Sequence, residues 1–183
     1  QMDIRFLSSN AHKIREVETI LHPRGIRVIS SPAKIEEIQT ENSQVLVRDK
    51  VLKAFKKIGK PVFVEHTGLY LRGLNDLPGG LTQIFWDRLG PDRFVSLVNN
   101  LNTREITAKT IIGYCDSRKV FVFEGEVAGH VAETPAGNTD FQWDCVFIPD
   151  GYSQTFAELG DVKNDISMRR IALNKLSQFL TQR

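Results

Sequence analysis

The chain is poor in cysteine and tryptophan and has no long apolar run, and each shortage closes off a class of protein. Its two cysteines, Cys115 and Cys145, form no CxxC pair and have no histidine at metal-ligand spacing. A disulfide framework is not indicated, and both thiols read as reduced, buried and structural, which suits a cytoplasmic setting. No stretch approaches the roughly 20 apolar residues of a membrane-spanning helix, so no membrane partner is expected. Gln1-Met2-Asp3 leads directly into a strand pattern without the apolar run of a signal peptide, and Gln1 reads as a residue added ahead of Met2. A dominant charge sign is also missing. Lys and Arg number 24 against 22 Asp and Glu, a net +2, and the basic residues are scattered, so no nucleic-acid partner is expected.

What remains is ordinary globular material: 183 residues, 41% hydrophobic and 25% charged, enough for a single domain over 1–183 with a real core. Residues 4–7 read as a short strand running into Ser8-Ser9-Asn10, which can cap a helix carrying Ile14, Val17 and Leu21 on one face. Leu21 to Gly25 ends that helix. A second strand over 26–29, an amphipathic helix over 42–58 and a third strand over 61–65 follow, and this β-α-β-α-β order favours a parallel or mixed sheet with helices on its faces. Residues 81–101 read as two short helices broken at Gly90-Pro91. From Glu105 to Val131 the apolar period changes to two, which predicts an antiparallel ribbon. A strand over 145–148 and a helix from about 164 to 180 close the chain.

Several clusters carry chemistry. Ser8 to Lys13 lies where a strand turns into a helix, so free backbone N–H groups, a hydroxyl and an ammonium converge, and phosphate is the natural guest; an ordinary helix cap is the plainer reading. Glu37, Glu41 and Glu65 are hard oxygen donors suited to Mg²⁺, with a solvated acidic loop as the plainer reading for Glu36, Glu37 and Glu41. Glu65, at the end of the third strand, faces a ligand crevice if the sheet is open. His66 reads as a base, a hydrogen-bonded structural residue or an exposed one. Phe141 and Trp143 offer flat faces for a purine beside Asp144, which can accept from ring N–H groups, while Lys163 and Arg169 offer charge-assisted bonds to phosphate oxygens. For both aromatics a place in the core is the plainer reading, and base stacking the second.

Taken in order, these motifs resemble the inosine triphosphate pyrophosphatase family, hydrolases that convert noncanonical purine nucleoside triphosphates to monophosphate and pyrophosphate. The resemblance runs from Phe6 to Leu180. Its opening Thr/Ser-x-Asn-x-x-Lys stands as Ser8 to Lys13, and its Asp/Glu-Asp-Ser/Thr-Gly-Leu as Glu65-His66-Thr67-Gly68-Leu69. Its Gly-x-x-x-Asp-Phe-Gly-Trp/Tyr-Asp appears as Gly137 to Asp144, and Lys163-Asn164-x-x-Ser167-x-Arg169 completes the series.

The resemblance implies an elongated mixed β-sheet with flanking helices, in two lobes around a deep nucleotide-binding cleft, and a homodimer. It implies that Ser8, Asn10, Lys13 and Lys163 contact the triphosphate of a purine nucleotide such as ITP, dITP or XTP, and that Phe141, Trp143, Asp144, Ser167 and Arg169 form the base pocket. Glu37 and Glu65 would help hold Mg²⁺, with His66 and Lys13 in the catalytic positions. Five positions depart from the pattern. His66 replaces the aspartate assigned to activating water, Met168 replaces a histidine, Gln142 replaces a glycine, Asp49 sits where bacterial members tend to have asparagine, and Gln83 falls where some members have lysine. Three readings stand open: an active pyrophosphatase, a nucleotide-binding paralogue with weak or lost catalysis, and an enzyme with altered base preference. For Glu65 itself the expectation is electrostatic work at the site, with little contribution to stability.

Overall fold

In the computed structural model, which describes residues 2–183, six strands form one open sheet in the order β2-β1-β3-β4-β5-β6. Gln1, read as an added residue, lies outside them. The strands are β1 (Met2–Leu7), β2 (Ile26–Ser31), β3 (Val62–Leu71), β4 (Glu105–Cys115), β5 (Val120–Val131) and β6 (Phe147–Pro149). Helices α1 (Ala11–Leu21), α2 (Ser43–Ile58), α3 (Thr82–Asn99), α4 (Phe156–Leu159), α5 (Lys163–Ile166) and α6 (Met168–Thr181) connect and flank them. β1 pairs parallel with both β2 and β3, and every later pairing is antiparallel, giving the mixed sheet that the β-α-β-α-β order implied.

β1 and β2 each run two residues longer than expected, to Met2 and Ser31, and three larger differences stand out. β3 does not stop at Glu65 but runs to Leu71, because β4 pairs with it over all ten residues from Val62 to Leu71, whereas β1 pairs only with Val62 and Phe63. Residues 142–145 form a 3-10 turn, so the last strand starts only at Phe147. The final helix is broken at Ser167, whose extended backbone (φ −74°, ψ 160°) ends α5 and caps α6. Gly90 has φ 67° and bends α3 where the Gly-Pro pair predicted a break.

Side-chain alternation along β3 positions the site. Phe63 faces α1 and α6, joining Phe6, Val17, Ile20, Leu173 and Leu176 in one core. Val62 and Val64 face α2 in a second, with Leu46, Val47 and Val51. Leu69 and Leu71 belong to a third core at the far end, among Phe94, Val98, Trp143, Phe147 and Phe156. Between these apolar stretches the strand reads Glu65-His66-Thr67. This polar interruption of a buried strand is where a cavity opens.

Candidate active site

The cavity, of about 180 Å³, is lined by Glu65, His66 and Thr67 from β3, Lys13 from α1, Phe141 to Asp144 from the 3-10 turn, and Lys163 and Arg169 near the α5–α6 break. A neighbouring cavity of about 300 Å³ lies over the β1–α1 turn, and Ser8, Ser9 and Asn10 line it. Lys13, Glu37, Lys50 and Glu65 line both and form the junction.

Charges here alternate along a buried chain. Lys13 Nζ lies 2.6 Å from Glu65 Oε1, and Arg169 approaches Glu65 Oε2 at 3.3 Å. Arg169 also pairs with Glu16, Glu16 with Lys163 at 2.8 Å, and Lys163 with Asp144 at 2.7 Å. Lys50 pairs separately with Glu37 at 3.1 Å. Burial alone would raise the Glu65 carboxyl, but Lys13 and Arg169 overcome it and hold Glu65 well below the usual carboxylate range. Glu16 is held down in the same way, against burial, by Arg169 and Lys163. At Asp144 burial wins, and its carboxyl is raised despite Lys163.

His66 is pushed down to about 4, first by burial and then by Lys13, against the pull of Glu37 and Glu65. Proximity of Glu65 favours the imidazolium, and burial of the ring outweighs it. The imidazole is neutral at pH 7, and its Nε2 is buried without a hydrogen-bond partner among the described residues.

The sequence-predicted residues divide. Lys13, Glu37, Glu65, His66, Phe141, Trp143, Asp144, Lys163 and Arg169 all line the main cavity. Ser8 and Asn10 line the neighbouring one, where they also make local bonds: Asn10 N–H donates to Ser8 Oγ at 3.1 Å and Lys13 N–H to Asn10 Oδ1 at 3.1 Å. Lys163, assigned to the triphosphate, lies with Asp144 and Phe141, away from the Ser8–Asn10 turn. Ser167 borders neither cavity. It is buried, and its hydroxyl accepts from Arg170 N–H at 3.1 Å as the cap of α6. Trp143 belongs to the far core, edge-on to Phe147 at 5.7 Å, and presents only part of its surface to the cavity.

Sequence reading missed Glu16, Lys50 and Thr67. Glu16 lies three residues after Lys13 on one helix, so helical phase places it on the same side. Thr67 donates to Glu65 Oε2 at 2.7 Å, and the period of two along β3 is the signal for it. Gln142, at the glycine position, has φ 49°, the left-handed region that glycine adopts freely, and its amide donates to Gln83 Oε1 at 2.9 Å. The two departures from the motif therefore meet each other at the cavity wall.

An open mixed sheet with a cationic, aromatic-walled site at the end of its first strand defines an α/β protein with nucleotide-binding chemistry. The chain belongs to the Ham1 family, whose model matches residues 4–179. A dITP/XTP pyrophosphatase of Pyrobaculum aerophilum is 36% identical over 183 residues, covering 100% of this chain and 98% of its own length. The inosine triphosphate pyrophosphatase of Yarrowia lipolytica is 36% identical over 185 residues, covering 100% of this chain and 97% of its own. Among solved structures, a HAM1 protein from Coxiella burnetii matches with a TM-score of 0.83 at 25% identity, over 100% of both chains. A nucleoside-triphosphatase described as a dITP/XTP pyrophosphatase, from Mycobacterium abscessus, matches with a TM-score of 0.73 at 26% identity, over 96% of this chain and 97% of its own.

Proposed function

We propose that this protein hydrolyses noncanonical purine nucleoside triphosphates to the monophosphate and pyrophosphate, as a single domain over the whole chain. The observation that carries the reading is the pair of joined cavities. One ends at an aromatic wall with Asp144, the other at the β1–α1 turn, and the basic residues Lys13 and Lys50 stand where they meet. A base beside Phe141 and Asp144 would direct its phosphates across that junction toward the free N–H groups of α1.

In the reaction a water oxygen bonds to the α-phosphorus as the bond to the bridging oxygen breaks, and pyrophosphate leaves. Lys13 and Lys50 offset charge on the phosphate oxygens, and neutral His66 offers Nε2 as an acceptor for the water's hydrogen. Phosphate arrival exchanges partners, because both lysines face carboxylates in the free protein. Glu37 and Glu65 suit Mg²⁺ because they are hard carboxylate donors lining the junction of the two cavities. That set matches an ion held by one or two carboxylates with substrate phosphates completing it, and Mg²⁺ there would supply positive charge to the leaving pyrophosphate.

A pyrophosphate-release assay over ITP, dITP, XTP, ATP and GTP, with and without Mg²⁺, tests the reading. The expected result is Mg²⁺-dependent pyrophosphate with 6-oxo hypoxanthine and xanthine bases strongly preferred over ATP. A site that bonds a 6-oxo group and ring N–H leaves buried polar groups unpaired on adenine, a discrimination of the order of 10⁴. Equal kcat/KM for ITP and ATP, or release of orthophosphate, would reject it. Tight nucleotide binding without turnover would favour a binding paralogue, with the His66 replacement as the reason. The resemblance also implies a homodimer, which sedimentation would distinguish from a monomer.

A further inference from the structure

We propose that His12 is a positioning residue for the purine, holding Phe141 as the wall of the base site and tying that wall to the phosphate end of α1. The inference rests on the pyrophosphatase reading above and adds a residue that the opening motif leaves unspecified.

Phe141 ends a stretch, 132–141, that has no regular secondary structure, so no backbone ladder fixes its ring. Its surroundings are open on two sides. Phe141, with Asp144 and Lys163, lines the main cavity and also a further one of about 380 Å³, which His12 and Arg15 border. A ring between two cavities has few packing partners to hold its orientation, and a loosely held ring is a poor platform for a base.

His12 supplies the missing support. Its imidazole lies nearly parallel to Phe141, with centroids 4.8 Å apart and planes 21° apart. Arg15, one turn on, donates to His12 Nδ1 at 3.1 Å and orients the imidazole. Lys163 Nζ, 4.6 Å from the Phe141 centroid, adds a cation contact to the same ring. His12 is the second residue of α1, between Asn10 at the phosphate turn and Lys13, whose ammonium reaches Glu65. One side chain thus links the segment that would meet phosphate to the segment that would meet the base. A purine on the cavity side of Phe141 would extend the stack to three layers.

The test compares wild type, His12→Ala and His12→Phe on ITP, with inorganic tripolyphosphate as a competitive inhibitor that has no base. Loss of one aromatic pair predicts a roughly three- to tenfold rise in KM for His12→Ala, with kcat within about twofold of wild type. His12→Phe should restore KM, because the stacked surface and not the imidazole nitrogen does the work. The tripolyphosphate Ki should stay at the wild-type value in both variants. An unchanged KM in His12→Ala overturns the proposal, as does a Ki that rises by the same factor as KM, or a Phe variant as impaired as the Ala variant. If wild type releases pyrophosphate from no purine triphosphate, the pyrophosphatase reading falls, and this inference falls with it.

Discussion

Lys163 holds two carboxylates at once, Asp144 at 2.7 Å and Glu16 at 2.8 Å, with only 4% of its side chain exposed. Removing such a cation strands buried negative charge, which costs about 3–5 kcal/mol. Lys163→Met is therefore expected to lower Tm by about 10 °C, given about 2–4 °C per kcal/mol for a chain of this size. Adding Asp144→Asn should recover part of that loss, since one of the stranded charges disappears. Calorimetry of the two single variants and the double variant measures the coupling, and strict additivity would mean that the bridge contributes nothing of its own. Gln142 shows a different kind of constraint. In sequence it only replaces a glycine of the motif, whereas its left-handed backbone and its bond to Gln83 show a glycine geometry kept by a larger residue.

Gly125 on β5 sets how closely α6 approaches the sheet. A Cβ there would overlap the Met168 carbonyl oxygen and lie 2.7 Å from Ala172 N, both of them backbone of α6. Gly125→Ala must push the start of α6 outward, and with it Arg169, the link between Glu65 and Glu16. Overpacking of this kind costs about 1–3 kcal/mol. The variant should show a lower Tm and a raised KM for ITP, measured side by side; a wild-type value of both would show that the helix absorbs the methyl without moving. Periodicity foretold most elements in this chain. The α1 stripe, the Gly90-Pro91 bend and the antiparallel ribbon all follow from local pattern and appear where that pattern puts them, whereas α2 forms as expected but buries Leu46, Val47, Val51 and Ala54 and leaves Val45 and Leu52 exposed. What local pattern missed was decided by distant partners. β3 continues past Glu65 because β4 pairs with it, and α6 is separated from α5 by the extended Ser167 backbone, which the apolar spacing of Leu173, Leu176 and Leu180 does not report. The site divides likewise: Lys13, Glu65, Asp144 and Arg169 stood out as motif letters, whereas Glu16 matters only because folding brings α1 against α5 and α6.

The alternating ion chain joins α1, β3, the 3-10 turn, α5 and α6, so its charge state bears on the stability of the whole molecule. Sequence alone suggested that Glu65→Gln would spare stability. The carboxylate instead has 1% of its side chain exposed and neutralises both partly exposed Lys13 and buried Arg169, so the variant leaves two cations short of a counter-charge and should lose about 3 kcal/mol at pH 7. The sign with pH follows from linkage. Glu65 in the folded protein titrates well below its ordinary 4.5, so its stabilising contribution is complete above that value and declines as pH falls toward the folded value. Glu16, also lowered, acts in the same sense; Asp144, raised, acts in the opposite one. Denaturant unfolding of wild type and Glu65→Gln from pH 7 to pH 3 should therefore show a constant gap above about pH 5, narrowing below it by up to about 1.4 kcal/mol per pH unit as the unfolded carboxyl takes up its proton and the folded one does not. A gap that stays constant to pH 3 would mean that Glu65 titrates alike in both states and that the pairs with Lys13 and Arg169 do not stabilise its charge.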